Sequence, residues 1–281
     1  MRRVAEVLGV SRSALHERLR SAPKLRTHYR KSGDAELLEP LRRLVDERPT
    51  YGYRRIGELL NREREAAGLA RLNHKRFYRL MAQNGLLLQR YTGKPPGRAH
   101  DGQIVTIRSN LRWTSDAFEI PCWDGQAVRV VFALDTCDRE VMAWSATTAG
   151  ISGEMVRDLM VEAVEKRFGA AITPHRVQWL SDNGSAYRAH ETIDFADRLG
   201  LVPCFTPVRS PQSNGMAEAF VKTFKRDYVY VHDRPDPQTV LSQLSHWFED
   251  YNEVHPHKAL RLKSPRAFIR SLQQPAACPV G

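Results

Sequence analysis

The sequence predicts a mixed α/β domain preceded by small all-α regions of helix-turn-helix type. Three observations support this prediction: apolar residues follow helical spacing over residues 1–90, short apolar strands alternate with amphipathic helices beyond residue 110, and the charge is unevenly distributed. Residues 1–110 hold 24 Lys and Arg against 11 Asp and Glu, whereas residues 111–281 hold 19 against 21. A basic N-terminal part followed by a nearly neutral C-terminal part indicates that the first part is attracted to nucleic acid. The alternative is that the basic residues only form a solvated surface.

Residues 1–30 form the first predicted unit, a helix-turn-helix-like segment. Gly9 interrupts the helical spacing of its apolar residues, and Ser11 is placed to cap the second helix. Two short helices cannot enclose a core. The segment is therefore either the end of a longer helix-turn-helix unit or an interaction segment.

Residues 31–90 predict a helical DNA-binding domain. Pro49 ends its first helix, Asn73 is placed to cap its last helix, and Gly85 is placed to end it. A basic outward face on that last helix is typical of a recognition helix, although a solvated face would look the same. The residues assigned to this face are His74, Lys75, Arg76 and Arg79, and the last three are predicted to contact DNA.

Residues 91–105 read as a basic linker, since Pro and Gly replace the apolar periodicity. Residues 106–271 then predict three antiparallel strands, a helix, a strand, a helix and a fifth strand, closed by two further helices, with residues 272–281 as a tail. This order describes a ribonuclease H-like fold, a mixed five-stranded sheet with flanking helices, better than a doubly wound nucleotide-binding sheet, because no G-x-G-x-x-G or P-loop opens a helix. The predicted strands are 111–120, 126–135, 141–146, 177–180 and 201–206, and the helices are 153–167, 189–199, 215–231 and 236–251.

Three carboxylates are the candidate catalytic residues. Asp116 lies in an apolar strand, Asp182 follows a buried strand, and Glu218 lies near the start of a helix. Each one alone has an ordinary alternative, as a surface acid, a helix cap or a favourable helix N-terminal charge. If they converge, they repel one another unless a cation lies between them. Carboxylate and water ligands suit Mg²⁺ or Mn²⁺, and a pair of such ions supports in-line phosphoryl displacement.

Five stretches of this chain resemble the retroviral-integrase-type core of OrfB-type transposases from bacterial insertion sequences with two reading frames. They are "RWTSDAFEI", "VFALDTCDREVMAW", "WLSDNGSAY", "SPQSNGMAEAFVKTFKRD" and "YNEVHPHKALRLKSPRAF". The resemblance covers roughly residues 35–270. It implies a D-D-E site at Asp116, Asp182 and Glu218 that acts both as catalytic centre and as ligand set for two metal ions.

The resemblance also implies DNA contacts around this site. A basic residue two helical turns after the glutamate is here Lys225, on the same helix face as Glu218. Lys222 is either a DNA contact or a partner of Glu218, and Arg226 is assigned to DNA as well. Asn183 is predicted to shape, with the glycine after it, a turn that lets the DNA backbone approach.

Other candidate sites are less favoured by the sequence. Asp135, in the turn between the second and third strands, is the alternative first metal ligand, but it lies far from the aromatic-rich "RWTSD". His255 and His257 lack neighbouring ligands at zinc spacing, so packing or a surface role is expected, with His257 as a residue that could approach DNA. Four scattered cysteines fit a reducing cytosol rather than a disulfide framework, and no apolar run reaches the length of a membrane span.

The function that follows is that of a DNA transposase, a polynucleotidyl transferase that uses Mg²⁺ or Mn²⁺ to cleave and transfer strands. A ribonuclease H-like nuclease that does not join DNA and an inactive DNA-binding regulator remain alternatives. The expected nucleic-acid partner is double-stranded DNA, which includes the terminal inverted repeats of the element and the target DNA. The expected protein partners are a second copy of the chain on DNA and the upstream-frame OrfA product, or a fusion to that product. The expected location is the bacterial cytoplasm, at the nucleoid.

Overall fold

The structure is a computed structural model that describes residues 2–7, 11–13, 16, 31–89, 106–206 and 215–273. Helix α1 spans Arg2–Val7. The helix that Ser11 was predicted to cap, the linker 91–105 and the loop before Glu218 lie largely outside the described residues. Within them, no helix is both long enough and apolar enough to cross a membrane.

The helical domain forms around the apolar faces predicted from the sequence. Asn73 caps its last helix through its side-chain oxygen, which accepts the N–H of Lys75 at 2.9 Å, and Gly85 follows the end of that helix at φ +69°. Close packing requires glycine at position 57, because a Cβ there would lie 2.4 Å from the ring of Phe77. The helices are α2 (Ala35–Glu47), α3 (Tyr53–Ala66) and α4 (His74–Gln83).

A mixed five-stranded sheet confirms the predicted α/β fold. Its strand order is β3-β2-β1-β4-β5, in which β1, β2 and β3 pair antiparallel and β4 and β5 join β1 in parallel. Strand β4 is the near-continuous apolar run 177–180 that the sequence predicted to be buried in a parallel sheet. The strands are β1 (Arg112–Pro121), β2 (Ala127–Asp135), β3 (Val141–Thr147), β4 (Val177–Ser181) and β5 (Leu201–Phe205).

Helices cover both faces of the sheet. One face packs on α8 and α9 through an aromatic core that includes Phe132, Phe220 and Phe248, and the other face packs on α5 and α7. The predicted helix 215–231 ends earlier, at Asp227, because the backbone leaves helical geometry at Tyr228 (φ −124°). The helices are α5 (Gly153–Phe168), α6 (Ser185–Arg188), α7 (His190–Arg198), α8 (Gly215–Asp227), α9 (Pro237–Glu253) and α10 (Pro265–Gln273).

Polar contacts fasten the helical domain to the α/β domain. The buried carboxylate of Asp227, the last residue of α8, accepts hydrogen bonds from Thr50 at 2.7 Å and Arg55 at 2.9 Å. Asp250 of α9 accepts one from Arg48 at 2.8 Å. Two further sets of hydrogen bonds join the domains. Tyr51 bonds to His255 at 2.7 Å, and Arg62 donates to the carbonyls of Val254 and Leu262, both at 2.7 Å. We call all of these contacts the interdomain clasp.

The two histidines beside the clasp predict a loss of stability in acid. Burial, reinforced by the charge of Arg55, lowers the pKa of His255 well below its usual range and that of His257 to about 3. The unfolded chain therefore takes up protons first, so stability is complete above about pH 6.5 and falls as the pH drops toward 3, by up to about 1.4 kcal/mol per pH unit for each histidine.

Urea unfolding between pH 7 and pH 4.5 tests this assignment. The variant His257→Gln is expected to lose less stability over that range than the parent protein. His190→Gln is the control, since His190 is exposed. Equal slopes for all three proteins would mean that His257 does not titrate between the folded and unfolded states.

Candidate active site

The sheet register brings Asp116 and Asp182 together. In the parallel pair of β1 and β4, Thr114 lies opposite Leu180, and continuing the same offset takes Asp116 to Asp182, one residue past the end of β4. Adjacent strands lie about 4.8 Å apart, so these two acids occupy one level of the sheet. The carboxylate of Asp182 is exposed and accepts the N–H of Gly184 at 3.0 Å.

Glu218 approaches the same level from the helix above the sheet. It is exposed in the first turn of α8, two residues before Phe220, whose ring lies 4.5 Å from that of Phe132. Phe132 is in turn the β2 partner of Asp116. Aromatic packing therefore sets where the start of α8 lies along β1.

The pKa of Asp116 reports on all three acids. Burial is the largest cause that raises it, the N–H of Ala117 opposes the shift, and the charges of Asp182 and Glu218 add to it, which together gives a pKa of about 6. Among the described side chains, however, no three of His, Cys, Asp and Glu are grouped closely enough to hold a metal. A half-buried carboxyl with a raised pKa, Asp116, together with two further carboxylates whose charges act on it, fits a hard divalent cation in chemistry, because a cation would remove their repulsion.

A stability measurement tests this repulsion. The folded-state pKa of Asp116 exceeds its usual 3.8, so the ionised carboxylate destabilises metal-free protein above about pH 6, and this cost disappears below about pH 4. Asp116→Asn is expected to stabilise metal-free protein by about 1–3 kcal/mol at pH 7.5. Mg²⁺ should raise the Tm of the parent protein more than that of the variant.

The matched control is Asp124→Asn, in the exposed hairpin turn at the far end of β1. This change is expected to leave both the Tm and its response to Mg²⁺ as they are. If Asp116→Asn lowers the Tm of metal-free protein, the three acids do not repel one another as described.

A buried hydrogen bond supports the floor of the site. The hydroxyls of Ser115 and Tyr187 lie 2.8 Å apart and tie β1 to α6. Burial raises the pKa of Tyr187 above its usual range, so the phenol stays neutral at any ordinary pH. This pair fixes α6 beneath the turn that carries Asp182.

Asn183 is exposed, and both ends of its side-chain amide form hydrogen bonds within the protein. Its Nδ2 donates to the carbonyl of Thr206 at 2.8 Å, and its Oδ1 accepts from Arg188 at 2.9 Å. The guanidinium of Arg188 also lies 5.0 Å from the ring centroid of Phe205. The sequence analysis missed Arg188, although a basic residue six positions after a strand-end aspartate was a usable signal.

The three basic residues of α8 differ in their surroundings. The Nζ of Lys225 lies 5.7 Å from the ring centroid of Phe118, which is on the same face of β1 as Asp116. Burial lowers the pKa of Lys225, while Glu119 opposes that shift. Lys222 is exposed, and no ion pair with the glutamate one turn before it is found among the described residues. Arg226 turns away to form two hydrogen bonds with Asp227, at 2.6 and 2.7 Å.

The predicted outward direction of two arginines on α4 is wrong. The side chains of Arg76 and Arg79 are each only 19% exposed and form salt bridges with Asp34 at 2.8 and 2.7 Å. They connect α4 to the start of α2. Lys75 and His74, by contrast, are exposed as predicted.

The geometry favours Asp116 over Asp135 as the first acid. Asp135 is fully buried, and its carboxylate accepts the N–H groups of Asn110, Cys137 and Asp138 at 2.6, 2.7 and 3.1 Å. Its β1 partner is Trp113, three residues before the level of the site. Its role is to shape the turn after β2.

The histidines lie at the interdomain clasp. The Nε2 atoms of His255 and His257 have no hydrogen-bond partner in the described structure, and their rings lie 4.7 Å apart. This agrees with the packing role expected from the sequence. His257 is half-buried and its ring packs against Tyr251, and its approach to DNA stays a prediction.

Comparisons with known proteins agree with this fold. Two models of the integrase core domain match residues 107–211 and 199–265, and a model of an HTH-like domain matches residues 32–94. A similar solved structure is a chain of the simian T-cell lymphotropic virus intasome in complex with the PP2A regulatory subunit B56 gamma. The TM-score is 0.50 at 16% sequence identity, and the match covers 78% of this chain and 73% of that chain. This likeness shows the fold alone. The protein is thus of the integrase-core class, with an HTH-like domain before the core.

Relatives from Escherichia coli define the family. The transposase InsD for insertion element IS2A/D/F/H/I/K is 48% identical over 270 residues, which cover 95% of this chain and 90% of the relative. InsD for insertion element IS2-9 of strain K12 is also 48% identical, with 88% of its length covered. The chain belongs to the InsD-type, or OrfB-type, transposases of bacterial insertion elements.

Proposed function

We propose that this transposase cuts DNA at the ends of its element and joins the resulting 3′-hydroxyls to target DNA, with Asp116, Asp182 and Glu218 as ligands of two divalent ions. The observation that supports the proposal is the register of β1 and β4, which sets Asp116 and Asp182 on one level of the sheet, and the charge of Glu218 contributes to the raised pKa of Asp116. Bound Mg²⁺ or Mn²⁺ would activate the attacking oxygen and stabilise the leaving oxygen of the phosphodiester.

The residues around the acids suit the DNA substrate. Lys225 lies over Phe118, two residues after Asp116 in β1, and Arg188 donates to Asn183, the residue after Asp182. Both can hold phosphates next to the scissile bond, so that water in the first step and a 3′-hydroxyl in the second approach in line. In each step one P–O bond forms and one breaks, and the nucleophile loses its proton.

Labelled duplexes from the two ends of the element test the proposal. With Mg²⁺, the purified protein should first cleave one strand and leave a free 3′-hydroxyl, and should then form a longer product in which that end is joined to target DNA. A chelator should prevent both reactions. Cleavage without joining would identify the nuclease alternative. Binding with neither product would identify the DNA-binding regulator and overturn the proposal.

Lys225 separates DNA positioning from metal binding. Lys225→Ala is expected to lower joining and to reduce the slope of log affinity against log salt by about one unit, because one phosphate contact is lost. Lys225→Arg should keep most of the activity. The assay is end binding and joining across a salt titration, with Tm measured beside it, since loss of the contact with Phe118 costs about 0.5–1 kcal/mol by itself.

Lys166→Ala is the control for Lys225, because Lys166 is exposed on α5, which packs on the opposite face of the sheet. Its salt slope should equal that of the parent protein. If Lys225→Ala joins ends at the parent rate at every salt concentration, Lys225 is an ordinary surface lysine.

A further inference from the structure

The helical domain carries an exposed cluster of aromatic and basic side chains, which we call the elbow patch. It consists of Tyr53, Arg54, His74, Lys75 and Tyr78. The ring of Tyr53 lies 5.1 Å from that of Tyr78 and 6.3 Å from that of His74, and the guanidinium of Arg54 lies 5.8 Å from the Tyr53 centroid. Tyr78 is 41% exposed, and the three basic side chains are exposed.

The elbow patch differs in charge balance from the rest of the helical domain. Among the described residues, no carboxylate lies within ion-pair distance of Arg54 or Lys75. Cations without a carboxylate partner, grouped on one exposed surface, suit the phosphates of a polyanion, and duplex DNA is the partner we assign. Seven other arginines of this domain are ion-paired, namely Arg43, Arg48, Arg55, Arg62, Arg71, Arg76 and Arg79.

Two adjacent arginines connect the elbow patch to the interdomain clasp. Arg54 and Arg55 lie in the first turn of α3, and successive helix positions point about 100° apart. Arg54 therefore faces the patch, while Arg55 reaches the buried carboxylate of Asp227 at 2.9 Å. One helical turn holds both the DNA-facing surface and the contact to the catalytic domain.

The clasp fixes the distance from the elbow patch to the acids. Asp227 ends α8, and Glu218 lies nine residues earlier on the same straight helix, about 14 Å along its axis. The side chain of Asp227 is fully buried, so separating it from Arg55 would remove one of the two arginines that neutralise this buried charge and leave it with Arg226. The helical domain cannot shift along α8 without breaking this contact.

We propose that the elbow patch binds duplex DNA and that the clasp holds this DNA at one set distance from Asp116, Asp182 and Glu218, so that the protein itself measures the spacing between the bound segment and the cleaved bond. Asp227 and Arg55 are then positioning residues. This inference rests on the proposed cleavage activity. It goes further by assigning the cleavage position to a contact between domains.

The test uses duplexes of the element's terminal repeat that carry an insertion of about 5 or about 10 base pairs, which is a half turn or a full turn of DNA. The insertion is placed at successive positions inward from the end. The full-length protein with Mg²⁺ should lose at least about tenfold in cleavage rate on half-turn insertions, and less on full-turn insertions. Arg55→Met should cleave the native spacing more slowly but discriminate less between spacings. Thr50→Val, which removes one hydrogen bond to Asp227 but keeps both of its arginine partners, gives a milder second variant in case Arg55→Met fails to fold.

DNA binding tests the elbow patch separately. The double variant Arg54→Ala, Lys75→Ala should lower affinity for the terminal repeat and reduce the log-log salt slope by about two units. Arg43→Ala, which removes an exposed ion-paired arginine of the same domain, should leave the slope unchanged. An unchanged slope in the double variant would overturn the assignment of DNA to the patch.

The spacing series has two results that would overturn the measuring role. They are equal cleavage by the parent protein at every spacing, and the same spacing dependence in Arg55→Met and Thr50→Val as in the parent. Absence of cleavage at the native spacing would instead refute the proposed function. The binding measurements would still decide whether the elbow patch holds DNA.

Discussion

Asp182→Asn and Glu218→Gln are each expected to abolish DNA cleavage while leaving the fold and end binding largely intact. An amide keeps the shape of a carboxylate but has no negative charge to hold a divalent ion. Because loss of a group that merely supports a metal ligand costs about 10–100-fold, loss of a ligand should cost at least about 100-fold. Single-turnover cleavage of labelled ends at saturating protein measures this rate without a contribution from binding.

Two matched controls separate the site from general effects of lost charge. Glu154 is exposed in the first turn of α5, as Glu218 is in α8, and Asp194 is exposed on α7. Glu154→Gln and Asp194→Asn should cleave at the parent rate. If Asp182→Asn or Glu218→Gln also cleaves at that rate, the residue concerned is not a ligand.

Arg167→Met is expected to destabilise the fold by about 3–5 kcal/mol, because it leaves the fully buried Asp138 without its cation. The Nη2 of Arg167 lies 2.8 Å from Asp138 and 3.3 Å from Glu140, with only 8% of the arginine side chain exposed. The pair fixes the turn between β2 and β3 to the end of α5. Urea unfolding at pH 7.5 measures the loss.

An exposed ion pair provides the comparison. Arg176 lies 2.6 Å from Asp197, with 59% and 63% of the side chains exposed, so Arg176→Met should cost under about 1 kcal/mol. Adding Asp138→Asn to Arg167→Met should recover part of the lost stability. Similar losses in Arg167→Met and Arg176→Met would show that burial does not strengthen the first pair.

The fold followed from the sequence where the pattern was local. Strand alternation, helical spacing and the cap at Asn73 each depend on residues close in the chain, and the structure confirms them. The set of three acids followed from their order and from a family resemblance, and the parallel register of β1 and β4 supports the pairing of Asp116 with Asp182. That all three hold metal remains a prediction.

Side-chain partners distant in sequence could not be predicted in this way. Arg76 looks outward on a helical wheel, yet Asp34, 42 residues earlier, accepts its hydrogen bond. Arg55 and Asp227 are 172 residues apart, and nothing near either residue indicates the other. Which basic residues remain open to DNA depends on such pairings, so charge composition located the basic domain but not its binding surface.

The interdomain clasp also limits how this protein can be divided for study. A fragment that starts after the linker keeps the whole sheet and all three acids, but it loses Arg48, Thr50 and Arg55 together. Asp227 would keep Arg226 and Asp250 would keep the hydroxyl of Tyr228, but the buried His255 would lose its contact with Tyr51. We expect such a fragment to be less stable than the full chain, and a poorly behaved fragment would reflect the missing interdomain contacts rather than a defective catalytic domain.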